Sequence, residues 1–276
     1  MAKLSRSNLF LGTGVSFAHS QDVAHDVIDA ALKAGIRRFD TAPSYHTEGI
    51  LGVELRRCGE AHELERGDLW VQTKIDGWQM QDGSGLNVAR HVKSGMQALG
   101  VDYLDCLLVH WPFPEYLQTT WQNMVRLREE GLARRIGVCN VRMRQLKQME
   151  AWDCMPDVIQ IERHPLRICS EEVMWCHQRD VALQAYSPLC KMNERIRQSE
   201  VLASIARRYG VDIGQVVLRW HLDSGVVPIF TTTKQSRVLQ YTQLDSFSLD
   251  EEEVQMINTL NENYKMYLES YICPGF

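Results

Sequence analysis

Eight short apolar runs recur along this chain, with segments of helical apolar spacing between them, and this alternation constrains the fold more than any other feature of the sequence. The runs are "LFLG" ending at Gly12, "GIRRF" at Phe39, "LWVQT" at Thr73, "YLDCLLV" at Val109, "RRIGV" at Val138, "DVIQI" at Ile161, "VALQA" at Ala185 and "VVPIF" at Phe230. Short apolar runs suit strands buried on both faces, and the segments between them suit crossover helices, so the pattern predicts a parallel sheet covered by helices. Such a sheet either closes into a barrel or stays open and doubly wound. The open dinucleotide-binding form begins with GxGxxG, but "GTGVSF" from Gly12 has Phe17 at the third glycine position, and no Walker sequence occurs. At 276 residues the chain is close to the ~250 that single α/β barrels commonly need.

Helix signals agree with this order. Val23, Val27 and Ala31 share one face, as do Val88, Val92, Met96 and Leu99 ahead of Gly100, and Val201, Leu202, Ile205 and Tyr209 ahead of Gly210. Ser170 before Glu171, and Ser248 three residues before Glu251, read as N-caps. No linker, low-complexity tract or repeat interrupts the pattern, so one domain is expected over residues 1–276. The 45% hydrophobic content can fill a large core, and the net charge of −5 argues against nucleic-acid or anionic-membrane partners. Lys3 and Arg6 precede "LFLGTGVSFA", but its glycines and the missing A-x-A site point to a strand rather than a signal peptide. No apolar run approaches the ~20 residues that cross a bilayer. Eight scattered cysteines without a CxxC pair read as reduced thiols, and a cytoplasmic location is expected.

In a closed barrel the chemistry gathers where strands end. Asp40 and Tyr45 follow the second run, Lys74 the third, His110 the fourth, Cys139 and Asn140 the fifth; Gln160 and Glu162 end the sixth, and Tyr186 and Ser187 follow the seventh. Singly, each has a plain structural role available: Asp40 as a turn cap, Tyr45 as rim packing, Lys74 as a solvated charge, His110 as a core histidine. Together at consecutive strand ends, an acid, a phenol, an amine and an imidazole suggest a shared site. A phenol titrates near ~10, so a nearby cation is needed to stabilise its anion, and Lys74 can serve. Burying that ammonium requires a counter-ion, which Asp40 can supply. The imidazole can orient a substrate oxygen. These groups suit protonation of a carbonyl oxygen while hydride reaches its carbon.

The motifs "DTAPSYHTEGILG", "WVQTK" and "VDYLDCLLVHWP", followed by "GVCN", "IQIERHP", "AYSPL" and the R-x-x-Q of "SRVLQ", resemble the aldo-keto reductases in residue type and in order over about residues 9 to 240. The resemblance implies an α/β fold, a (β/α)8 TIM barrel with a short N-terminal β-hairpin and additional C-terminal helices. It implies reduction of an aldehyde or ketone to an alcohol with a nicotinamide cofactor, on a catalytic tetrad of Asp40, Tyr45, Lys74 and His110 in which Tyr45 is the proton donor. Tyr45 and His110, with Trp111, would meet the small-molecule carbonyl substrate. For the cofactor it implies Asp40 beneath the reacting groups, Asn140 and Gln160 helped by Cys139 at the nicotinamide carboxamide, and Tyr186 stacked on the ring. Gly12 and Thr13 would pass near the cofactor, Ser187 and Leu189 would follow the pyrophosphate, and Thr231, Thr232, Arg237 and Gln240 would lie at the adenosine end. A monomer or weak oligomer is expected.

The sequence also departs from the family pattern. Gly14 and Asp76 stand at positions where the family often carries tryptophan, and Trp78 and Trp111 are the candidates to rebuild that wall. Asp76 in the wall suggests a polar or hydroxylated substrate. Thr231 falls where a lysine usually meets the adenosine 2′-phosphate; losing one charge-assisted bond narrows a preference for NADPH by one or two orders of magnitude, which leaves NADPH expected and NADH or dual use as the alternative. Lys234 stands three residues on as a substitute. Two other readings remain: a cofactor-binding regulatory subunit of the same fold, like potassium-channel β subunits, and a metal-dependent hydrolase using His110 and His164. The intact tetrad counts against the first. The absence of an HxH pair or other close ligand spacing counts against the second, so no metal is expected.

Overall fold

The computed structural model describes residues 4–81, 85–152, 154–268 and 272–273. Eight strands close into one parallel barrel in chain order: β1 (Phe10–Gly12), β2 (Arg38–Asp40), β3 (Trp70–Ile75), β4 (Cys106–Val109), β5 (Ile136–Cys139), β6 (Val158–Glu162), β7 (Ala182–Tyr186) and β8 (Val227–Phe230). All eight coincide with the apolar runs. The register sets Gly12 beside Asp40, Asp40 beside Gln72, Lys74 beside Leu108, Cys139 beside Gln160 and Glu162 beside Tyr186, which puts the polar strand ends on one rim.

Neighbouring strand residues enter different surroundings, as the two-residue period demands. Leu107, Val109, Val138, Ile159, Ile161, Leu183 and Phe230 point outward into the main apolar core beneath the helices. Cys106, Leu108, Cys139 and Val158 form a separate cluster with Trp70 and Ala182 inside the barrel. Over the outside pack α1 (Gln21–Lys33), α2 (Glu48–Ala61), α3 (Gly77–Met80), α4 (Gly85–Leu99), α5 (Leu117–Glu129), α6 (Met143–Met149), α7 (Ser170–Arg179), α8 (Glu194–Arg197), α9 (Glu200–Tyr209), α10 (Ile213–Asp223), α11 (Gln235–Tyr241) and α12 (Glu251–Asn258). None of the described helices is long and apolar enough to cross a membrane. The eight cysteines are all unpaired.

Local chemistry explains the boundaries. Ser20 accepts from the Val23 amide and starts α1, and Gly210 closes α9 in the left-handed region at φ 66°. Two expected caps shift. Asp250, not Ser248, starts α12, because Asp250 and Glu253 exchange side-chain to backbone bonds; Ser170 is itself the first residue of α7. The short N-terminal β-hairpin is not found among the described residues: residues 6–8 form a 3-10 turn whose start is fixed by Ser5 and Asn8, and the chain enters β1 directly. Of the expected additional C-terminal helices, the described residues show one, α12.

Gly137 in β5 shows how tightly the interior is filled. A Cβ there would lie 2.2 Å from the Val158 carbonyl oxygen and 2.7 Å from Leu108 Cδ2. The obstacle is partly main chain, which cannot rotate away. Gly137→Ala is therefore expected to cost about 1–3 kcal/mol through overpacking and to lower the thermal midpoint by several degrees in a calorimetric scan. An unchanged midpoint would show that the interior has slack at this level.

Candidate active site

The barrel interior has an ion pair at its centre. Lys74 reaches from β3 with its side chain fully enclosed, and Nζ lies 2.9 and 2.8 Å from the two carboxylate oxygens of Asp40 on β2. Its third bond goes to the Thr41 carbonyl at 2.8 Å, so all three ammonium hydrogens are used. The carboxylate is held from below: Gln72 and Gln160 donate to Asp40 Oδ1 at 2.7 and 3.1 Å, and Gln184 joins both glutamines. Fixed amides and a buried pair of opposite charges thus form a rigid base for whatever sits above.

Tyr45 sits above. It lies on a 3-10 turn of residues 43–45, started by Pro43 shortly after β2, and the Lys74 ammonium is 5.0 Å from the centre of its ring. His110, the residue after β4, meets it edge to face, with Nε2 3.3 Å from the phenol oxygen. The other imidazole nitrogen, Nδ1, is hydrogen-bonded to Asp76 Oδ1. Asp76 follows β3, is 5% exposed, and also accepts from the Ser44 amide at 2.7 Å and the Ser44 hydroxyl at 3.2 Å. The four expected catalytic residues therefore converge at one mouth, joined there by Asp76.

The electrostatics assign protonation states. Burial pushes the Tyr45 phenol up to about 12, with Lys74 the largest influence in the opposite direction. Burial alone would lower Lys74, but Asp40 carries it above its ordinary value. His110 is lowered, chiefly by burial and also by Lys74, against the opposing hydrogen bond to Asp76. Burial works to raise Asp76, yet bonds from His110 and Ser44 hold it below the ordinary carboxyl value. At neutral pH the site holds a neutral phenol, a charged ammonium, a neutral imidazole and an ionised Asp76. The cation does not make the phenol acidic at rest; its charge acts when the proton leaves.

The expected cofactor residues divide. Asn140, with φ 59°, ties strands together: its Nδ2 donates to the His110 carbonyl at 2.9 Å, and Oδ1 accepts from the Tyr186 hydroxyl at 2.7 Å. Each amide end keeps capacity, since one N–H of Asn140 and the Oε1 of Gln160 have no bond among the described residues. A carboxamide offers both a donor and an acceptor, so it can use a free N–H and a free carbonyl oxygen. The half-exposed Tyr186 ring meets Tyr267 at 5.7 Å. Ser187 adopts φ 49°, and Leu189 is buried. At β8, Thr231, Lys234 and Arg237 are exposed, Gln240 is half-buried, and Thr232 is buried with its hydroxyl accepting from the Lys234 amide. Gly12 leaves a narrow gap beside Thr231, because a Cβ would come within 3.1 Å of the threonine hydroxyl.

Other residues are placed differently from the expectation. Thr13 is fully buried, its hydroxyl bonds Thr41 and Thr47 at 3.1 and 2.8 Å, and its amide donates to the Asp40 carbonyl at 3.0 Å. Cys139 is fully buried in the inner apolar cluster, where burial pushes its thiol up; it is an apolar wall rather than a polar contact. The Asp76 carboxylate turns back onto protein partners: Oδ1 meets His110 Nδ1 and the Ser44 hydroxyl, and Oδ2 accepts from the Ser44 amide. Trp111 is buried, whereas Trp78 is exposed against His91 of α4.

Sequence reasoning missed Gln72 and Gln184, although each lies two positions before a mouth residue on its strand and hence on the same inner face. It also left Glu162 without a role. That carboxylate accepts from the Met266 and Tyr267 amides at 2.7 and 3.1 Å, and it bonds His164, docking the C-terminal segment beside Tyr186. Replacing one member of the central pair tests its weight: Asp40→Asn keeps an acceptor for the glutamines but strips Lys74 of its counter-ion, an expected loss of about 3–5 kcal/mol in urea unfolding. Adding Lys74→Met should restore most of that stability. Additive losses would contradict the pairing.

Comparisons with known proteins agree with this geometry. Residues 8–262 match the family model described as "Aldo/keto reductase family". The chain is 32% identical to a glyoxal reductase of Bacillus subtilis, over 93% of this chain and 90% of that protein. It is 31% identical to a methylglyoxal reductase of Escherichia coli O157:H7, over 96% and 94%. A Bombyx mori aldo-keto reductase solved in complex with NADP superimposes with a TM-score of 0.87, at 30% identity and covering 95% of this chain and 92% of that one. With an eight-stranded barrel, a tetrad at its mouth and a family match over most of its length, the chain belongs to the aldo/keto reductase family.

Proposed function

We propose that this chain is an NADPH-dependent reductase of small aldehydes or ketones, with Tyr45 as the proton donor. The observation that carries this reading is the enclosed Lys74–Asp40 pair beneath a neutral phenol. A neutral phenol can give a proton to a carbonyl oxygen, and the fixed positive charge stabilises the phenolate left behind without having to move. Bound NADPH supplies the hydride. The free Asn140 N–H and Gln160 oxygen suit the carboxamide, Tyr186 offers a ring face, and Lys234 and Arg237 offer exposed cations near the adenosine end. The named relatives act on glyoxal and methylglyoxal, which supports short dicarbonyls as the first substrates to try. The whole site comes from one barrel, in keeping with action as a monomer or weak oligomer.

NADPH oxidation followed at 340 nm over a carbonyl panel tests the reading. Tyr45→Phe should lose about 10²–10⁴-fold in kcat while still binding the cofactor; equal turnover in wild type and variant would remove Tyr45 from the role. Thr231→Lys adds a cation at the adenosine end and should raise the NADPH-to-NADH ratio of kcat/KM by about one to two orders of magnitude. An unchanged ratio would mean that Lys234 or Arg237 already satisfies the phosphate.

A further inference from the structure

Asp76 and His110 form a contact that the four-residue site does not require. A carboxylate only accepts hydrogen bonds, so the imidazole nitrogen facing it must carry a hydrogen. His110 Nδ1 faces Asp76 Oδ1, and Asp76 is fixed in turn by the Ser44 amide at 2.7 Å, one residue before Tyr45. In neutral His110 the hydrogen then sits on Nδ1 and the lone pair on Nε2, which points at the Tyr45 hydroxyl 3.3 Å away. In that state Tyr45 donates to His110. It cannot also donate to a substrate oxygen, and Nε2 has no hydrogen to offer that oxygen.

We propose that Asp76 is a positioning residue that fixes His110 in the Nδ1–H tautomer, so that productive carbonyl reduction requires the doubly protonated imidazolium. This rests on the reading of Tyr45 as proton donor. With both nitrogens protonated, Nε2–H points toward the phenol oxygen, and the Tyr45 hydrogen is free to turn toward the substrate. When Tyr45 gives up its proton, the phenolate takes the Nε2 proton, leaving neutral imidazole whose Nδ1–H still faces Asp76; solvent then restores the Nε2 proton. The charged and titratable groups around the ring are Asp76 and Lys74 from β3 and its end, Asp40 from β2 and Tyr45 from the turn after it; Asn140, after β5, binds the His110 carbonyl. Asp76 and Asp40 favour the imidazolium, while Lys74 and burial oppose it.

Two measurements test this. Nitrogen-15 NMR of labelled full-length protein should show His110 as the Nδ1–H tautomer when neutral. Rates of methylglyoxal reduction at saturating NADPH should rise as pH falls through the His110 titration. Asp76→Asn should move both the NMR titration and the rate limb to lower pH by about one unit or more. Ser44→Ala, at an exposed position, removes a competing bond to the same carboxylate oxygen and should move both to higher pH. An Nε2–H tautomer in the wild type, or a limb unmoved by either variant, overturns the proposal. If Asp76→Asn does not fold, Ser44→Ala decides by the sign of its shift. If no carbonyl is reduced at all, the proposed activity fails, and the NMR titration still decides whether Asp76 sets the tautomer.

Discussion

The central constraint is a buried ammonium that has spent all its hydrogen bonds. Lys74 is fully enclosed, bonded to both oxygens of Asp40 and to the Thr41 carbonyl, and it survives there only because Asp40 is equally well held by two glutamines. Taking such a pair out of water is costly, and exact partnering is what makes it tolerable. The surrounding fold follows from it. Strand register must bring Asp40 beside Gln72, the strand after must present Lys74 two residues further on, and the next layer inward must be amide rather than apolar.

That base gives the mouth its chemistry. Since the ammonium has no spare hydrogen, its influence on Tyr45 is a fixed field, from a charge 5.0 Å from the ring centre, rather than a donated bond. Burial keeps the phenol neutral at rest, and the field matters only as negative charge develops on its oxygen. On the opposite side of Tyr45 lies His110, whose Nδ1 is bonded to Asp76, and Asp76 is tied back to the tyrosine turn through Ser44. A second carboxylate at the rim, Glu162, is occupied differently: it holds the main chain of residues 266 and 267 and so brings Tyr267 against Tyr186. One acid holds the imidazole of His110; the other closes the side wall.

Much of this was legible in the sequence, for identifiable reasons. The eight strands were readable because each is short, apolar and followed by a polar strand end, and Asp40, Tyr45, Lys74 and His110 stood out because barrel strands deliver their ends to one mouth. Gln72 and Gln184 were readable in principle from the two-residue period. Asp76 was not: beyond the end of β3 the strand period no longer fixes side-chain direction, and what looked like a polar pocket wall turns back onto His110. Glu162 and residues 266–267 are over a hundred positions apart, so no local pattern joins them. The expected N-terminal hairpin is not found among the described residues, where a polar turn at Ser5–Asn8 satisfies its own backbone groups just before β1 begins. Thr13 and Cys139 are expected near the cofactor from the family resemblance, and their side chains satisfy or fill the interior.

The most direct test of the account is the ionisation of Tyr45 itself. Carbon-13 NMR of protein labelled at the tyrosine ring carbon bearing the hydroxyl, with Tyr45 assigned by its phenylalanine variant, reads that state without turnover. At pH 10, where an ordinary tyrosine is about half ionised, Tyr45 should remain a neutral phenol. A Tyr45 signal already half ionised at or below pH 10 would mean that the cation beneath it, not burial, sets its resting state, and the account of the site would have to be rebuilt.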